Sequence, residues 1–142
     1  METAGRIFLS YSHPDKDWAK ELSKYLEKRG FRVFLDDESL LPGVNWRLEV
    51  GRALELAEAM VVLISPASAR ALSVQQDIQY ALGAERFQDR LIPVEVEPTQ
   101  DYPWVLRQLK WIKTGGDIAR AGDQIARILQ AAGEPDVHAG AR

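Results

Sequence analysis

The chain has 142 residues, 46% of them hydrophobic and 27% charged, with a formal net charge of −3; this is the make-up of one globular domain long enough to bury a core. Its Lys and Arg residues are spread out rather than gathered in a stripe, which argues against a nucleic-acid partner, and its longest strongly apolar run, residues 60–64, is far too short to span a bilayer. It has no cysteine and two histidines, His13 and His138, so disulfides, thiolate nucleophiles, cysteine zinc sites, histidine metal clusters and Ser-His-Asp triads all lack their parts. The first residues, METAGR, carry no secretion-signal stretch, and with the lack of cysteine this gives a cytoplasmic location as the expectation.

Residues 6–11, RIFLSY, read as a short buried strand. Residues 14–29 read as a helix whose Trp18, Leu22, Tyr25 and Leu26 make one apolar stripe, with Gly30 as its stop. A second strand, FRVFL, covers residues 31–35, and Pro42-Gly43 in the loop that follows suits a type II turn. Asn45 caps the next helix, whose inner face is Trp46, Val50, Ala53, Leu54 and Ala57. The third strand, residues 60–64, is fully apolar and stops at Ser65-Pro66. A helix follows over residues 73–85, with Val74, Ile78, Ala81 and Leu82 as its buried face. Residues 91–96 form a fourth strand, and Pro93 within it favours a place near the sheet edge. Residues 103–109 predict a short helix, 111–114 a brief fifth strand, and 118–131 a closing helix. Trp18, Trp46, Trp104 and Trp111 are expected to serve packing. One domain, residues 1–132, precedes a Gly/Ala-rich tail, 133–142, that is expected to be disordered.

Alternating strands and helices with continuous apolar strands predict an α/β fold, a flavodoxin-like three-layer sandwich around a five-stranded parallel sheet of order 2-1-3-4-5. Ligands of such sheets bind beyond the carboxyl ends of strands 1 and 3, where the winding reverses. That directs attention to Ser10-Tyr11-Ser12-His13, Ser65-Pro66-Ala67-Ser68 and Asp36-Asp37. A phosphoacceptor receiver domain is excluded, because the third strand ends in Ile64-Ser65-Pro66 rather than an aspartate. Neither nucleotide-phosphate glycine loop is present, and no metal centre is indicated.

One carboxylate stands out. Asp77 lies about a quarter turn from the centre of its helix's buried face and shares a stripe with Ser73 and Tyr80. This is a rim position, half sheltered and within reach of the crevice. Pattern alone makes a rim carboxylate an ordinary solvated charge.

Four segments in order resemble the Toll/interleukin-1 receptor (TIR) domain in its bacterial form: RIFLSYSHPD, GFRVFLDDESLLPGVNW, AMVVLISPASA and DRLIPVEVEP. The resemblance covers residues 6–129. It implies one of two roles: an enzyme that breaks the nicotinamide–ribose bond of NAD+ to give ADP-ribose or a cyclic isomer, in bacterial defence or signalling, or a scaffold acting by TIR–TIR contact. NAD+ would be a substrate, with no resident cofactor, and the partners would be other TIR domains in a homo-oligomer. Catalytic members carry a glutamate four residues past a tryptophan on the helix after strand 3. Asp77 falls at that glutamate and Ser73 at the tryptophan, so the carboxylate is one methylene shorter and the aromatic is gone.

The resemblance also puts Tyr11 and Ser12 in the nucleotide cleft, His13 where some members carry a basic residue, and Asp36 in the NAD+ pocket. Gly43 matches the loop glycine, and Leu41 stands where some catalytic members have an acid. Leu40, Leu41, Pro42 and Gly43 form the expected interaction loop. Tyr11 is equally suited to packing on the first helix, and His13 to an ordinary loop before Pro14. When nicotinamide leaves, the ribose gains cationic character, and a fixed negative group stabilises that state above the ground state. A carboxylate displaced by about 1 Å costs on the order of 10²-fold, so slow or assembly-dependent turnover is expected.

Overall fold

The first strand, β1 (Gly5–Ser10), is buried at every residue except Arg6 and becomes the second strand in from one edge of the sheet. In the computed structural model, which describes residues 5–37 and 45–133, the order of elements matches the sequence pattern closely. After β1 a 3-10 turn (His13–Asp15) leads into α1 (Lys16–Lys28), and then come β2 (Phe31–Leu35) and α2 (Trp46–Leu56). β3 (Ala59–Ile64) runs into a short α3 (Pro66–Ala69) and then α4 (Leu72–Leu82). β4 (Leu91–Glu95), β5 (Ile112–Lys113) and α5 (Ile118–Gly133) complete the chain's described part. All pairings are parallel, in the order β2-β1-β3-β4-β5. This is the flavodoxin-like arrangement, with a core on each face of the sheet.

Side chains alternate across a strand, and the two cores follow that parity. Ile7 and Leu9 join Val61, Leu63, Ile92 and Val94 under α1 and α5. Phe8 joins Met60, Val62 and Ile64 under α4, where Val74, Ile78 and Ala81 are buried. Every residue of β3 is buried, as a central strand covered on both faces requires. Gly30 takes φ +98° just past α1, a left-handed conformation that closes the helix and turns the chain into β2. Asn45 caps α2 by accepting from the Leu48 amide at 3.3 Å.

Several expectations need refinement or correction. Pro93 lies near the edge of the sheet, as expected, but one strand in from it, since β4 is flanked by β3 and the two-residue β5. Arg90 and Val96 both bond towards β3, which turns the Pro93 nitrogen towards β5, and β5 begins only opposite Val94. The proline therefore costs no ladder bond. Leu82, the last residue of α4, is 45% exposed rather than buried, and Trp104 is 69% exposed. Ser65-Pro66 does more than stop a strand. Ser65 and Ser68 form a reciprocal capping box that starts α3.

Among the described residues no helix is long and apolar enough to cross a membrane.

Candidate active site

Parity and register assemble the site. Ser10 follows Phe8 by two residues on β1, so it faces α4, and Asp36 follows Phe34 in the same way on β2. The Asp36 amide donates to the Leu9 carbonyl at 3.1 Å, which carries the β1–β2 pairing one step past its last strand residues and sets Asp36 beside Ser10. Asp77 comes down from the middle of α4 onto the same spot. The Ser10 hydroxyl donates to Asp77 Oδ2 at 2.7 Å in a fully buried contact, and the Asp36 carboxyl is hydrogen-bonded to Asp77 as well.

Asp77 is 7% exposed, well inside the rim position expected from the helical wheel. Two carboxyl groups in hydrogen-bond contact cannot both be ionised without strong repulsion, so they share a proton. Burial first, then the hydrogen bond and charge of Asp36, push the Asp77 acid up to about 9, with the Ser10 hydroxyl opposing that rise. At neutral pH Asp77 is therefore held as the neutral acid beside Asp36.

A cleft of about 260 Å³ opens above the carboxyl ends of β1 and β2. Tyr11, Ser12, His13 and Asp36 line it, as do Asp37, Trp46 and Ser73. Asp36 is half-buried and faces this space, while Asp77 stands behind it. Tyr11 both packs and lines the cleft: its ring belongs to the core under α1, and its hydroxyl donates to Asp37 Oδ2 at 3.1 Å. Burial, the Asp37 charge and that hydrogen bond raise the phenol well above its ordinary value, so it stays a donor. His13 is exposed at the mouth.

Ser12 is buried, and its hydroxyl is already committed to Asp15 Oδ2 at 3.0 Å. The same oxygen accepts from Ser65 at 2.6 Å. Asp15 thereby ties the end of β1 to the end of β3 and fixes the backbone that carries Tyr11, Ser12 and His13.

Gly43 and the expected interaction loop of Leu40, Leu41 and Pro42 lie outside the described residues, as does the tail over 134–142. Sequence reasoning noticed Ser10 only as part of the stretch after the first strand and gave it no role, although it is a lone hydroxyl at the end of an apolar strand, two residues beyond Phe8 on the α4 face. It also missed one component of the cleft wall. Trp46, taken for packing, stacks on Phe34 at 5.4 Å between ring centres and also forms one wall of the cleft. Its place at the first turn of α2, directly after the loop from β2, was the available signal.

The TIR domain family profile matches residues 7–129, and the chain belongs to that family. It is 33% identical over 99 residues to the uncharacterized protein y4cD of Sinorhizobium fredii (strain NBRC 101917 / NGR234), a match covering 64% of this chain and 15% of that protein. Among solved structures it is similar to the TIR domain of the Toll-related receptor TRR-2 from Hydra magnipapillata, with a TM-score of 0.71 at 19% identity over 87% of this chain and 97% of that one. It is also similar to a metazoan TIR-STING receptor from C. gigas in complex with 2',3'-cGAMP, with a TM-score of 0.72 at 26% identity over 87% of this chain and 39% of the receptor. The chain thus spans a small part of y4cD and well under half of the C. gigas receptor.

Proposed function

We propose that this TIR domain breaks the nicotinamide–ribose bond of NAD+, and that the Asp36–Asp77 pair is its electrostatic centre. The observation that carries this reading is the pairing of a buried Asp77 with a half-buried Asp36 that lines the cleft. Many members of the family are NADases. In the reaction, the electrons of the C1'–N1 bond leave with nicotinamide, which departs as a neutral base and needs no general acid. Positive charge then grows on the ribose. Asp36 presents its carboxylate to that charge, and Asp77 supplies the proton that lets the two acids sit together. Water adds at C1' and releases a proton to give ADP-ribose; attack from within the ADP portion gives a cyclic isomer instead.

Asp77 takes the place of a longer glutamate, and Ser73 leaves the cleft wall without the tryptophan expected one helical turn earlier. Turnover is accordingly slow, and it depends on assembly, since TIR domains commonly self-associate. A second reading draws on the same geometry: Asp77 is nearly closed off from solvent, which suits a scaffold that pairs with other TIR domains through Leu40, Leu41, Pro42 and Gly43 and no longer turns over substrate.

Nicotinamide release from NAD+ by the concentrated or artificially oligomerised protein separates the two. The enzyme reading expects slow release, lost in Asp77→Ala and changed in Asp77→Glu. No release in any assembled state, with none gained by Asp77→Glu, establishes the scaffold. In that case substitutions at Leu41 and Pro42 disrupt self-association.

A further inference from the structure

A second concave region lies away from the cleft, between α2 and the paired strands β1 and β2. It encloses about 300 Å³, at the lower end of the range typical of small-molecule pockets. Three arginines line it. Arg6 and Arg32 are register partners on neighbouring strands and therefore share one face of the sheet. Arg52 reaches the same space from α2. Among the described residues the only ion pair joins Arg29 to Asp123, so none of the three guanidinium groups makes a close ion pair with a described carboxylate. Glu49 also lines the groove, one carboxylate against three cations. This concentration of positive charge belongs to a chain whose net charge is −3.

The rest of the wall is apolar. Phe34, held between Phe8 and Trp46 in a continuous ring stack, is part of the groove's lining. Leu56 stands at the rim, 55% exposed although it is a large aliphatic side chain. A largely apolar groove lined by three arginines suits a ligand with two unlike ends. Guanidinium groups bind phosphate oxygens in forked pairs, and a phosphate dianion offers enough oxygens for more than one fork, which a carboxylate does not.

We infer that this groove is a binding site for a small organic phosphate, with its planar or aliphatic body against Phe34 and Leu56 and its phosphate held by Arg6, Arg32 and Arg52. The site is separate from the carboxyl pair. Arg6 and Arg32 precede Ser10 and Asp36 by four positions on their strands, roughly 13 Å at the usual rise of an extended chain. The inference is independent of the NAD+ reading.

Phenyl phosphate is a suitable probe, titrated into the intact chain and followed through backbone amide NMR shifts. Shifts should concentrate on Arg32, Val33 and Phe34 and on the second half of α2. Inorganic phosphate, which lacks the apolar body, should bind at least about tenfold more weakly, and Arg32→Ala should weaken phenyl phosphate by about tenfold, as loss of one charged fork implies. All three arginines are exposed, so their removal leaves the fold intact. Asp77→Asn should bind phenyl phosphate as the parent does. Three results would overturn the inference: shifts confined to Tyr11, Ser12 and His13, equal affinity for the two phosphates, or indifference to Arg6→Ala and Arg32→Ala together. So would arginine substitutions that alter self-association while leaving phosphate binding untouched, because the groove would then be a contact between copies.

Discussion

Asp15 and Asp77 are equally buried, each 7% exposed, at the same end of the sheet, and their surroundings are opposite. Asp15 is met by two hydroxyl donors, Ser12 and Ser65, on one oxygen. Asp77 is met by one hydroxyl, Ser10, and by a second acid, Asp36. The first arrangement satisfies a carboxylate and joins two loops. The second sets two acids against each other and holds a proton between them, which is a costly way to build a core and an effective way to store charge beside a cleft. Burial alone does not distinguish a structural carboxyl from a reactive one; the partners do.

The sharpest break in that comparison is Asp36→Asn. It leaves the hydrogen bond to Asp77 available but removes the negative charge facing the cleft. Nicotinamide release should fall by on the order of 10²-fold, the scale seen when one preorganised electrostatic group is lost, while the fold persists. A variant as active as the parent would move the charge-bearing role away from Asp36. Asp15→Ala tests the other network. It strands the Ser12 and Ser65 hydroxyls in a buried place, and stability should drop by about 2–3 kcal/mol, measurable by urea unfolding. If stability holds, Asp15 does not tie the two loops together.

Asp77→Asn should have the reverse sign. The unfolded chain releases the Asp77 proton at its ordinary value of 3.8, and the folded chain holds it to about 9. Between those values the folded state carries a proton that the unfolded state has lost, so stability falls as pH rises through the window. An amide has no proton to lose. Asp77→Asn should therefore gain at least about 1 kcal/mol at pH 8 and flatten the decline measured from pH 4 to 9. An unchanged slope would mean that Asp77 is not the group titrating there.

Much of this was legible beforehand because it depends on periodicity. Continuous apolar strands alternating with amphipathic helices gave the sheet order, and the chain departs from it only where a local pattern met a tertiary fact. Pro93 is tolerated in an inner strand because β5 is only two residues long, a length no propensity encodes. Ser65-Ser68 capped a helix with serine in the place where glutamate or glutamine is the usual signal. Leu82 and Trp104 are exposed although the local pattern predicts packing, because burial is decided by neighbours distant in sequence. For Asp77 the wheel gave the direction but not the depth: its neighbours come from β1 and the end of β2, and that contact lies in the register between strands rather than in any stretch of sequence. The reversal of winding between strands 1 and 3 did point to the right end of the sheet, and the strand register there sets Ser10 and Asp36 on the α4 face.

Ser10→Ala is the finest test of the difference between the two networks. The Ser10 hydroxyl donates to Asp77 Oδ2 at 2.7 Å and favours the ionised form. Removing it withdraws the hydroxyl that holds the Asp77 acid down, so its titration, followed by carboxyl carbon NMR, should move upward from about 9. The change in stability should be small, because at neutral pH Asp77 is protonated and the alanine leaves no charge stranded. The outcome discriminates cleanly. A downward move would mean that the serine stabilises the acid rather than its anion, and the proton would then sit between Ser10 and Asp77 instead of between Asp77 and Asp36. With the proton in that place, both acids could not share a single charge at the floor of the cleft.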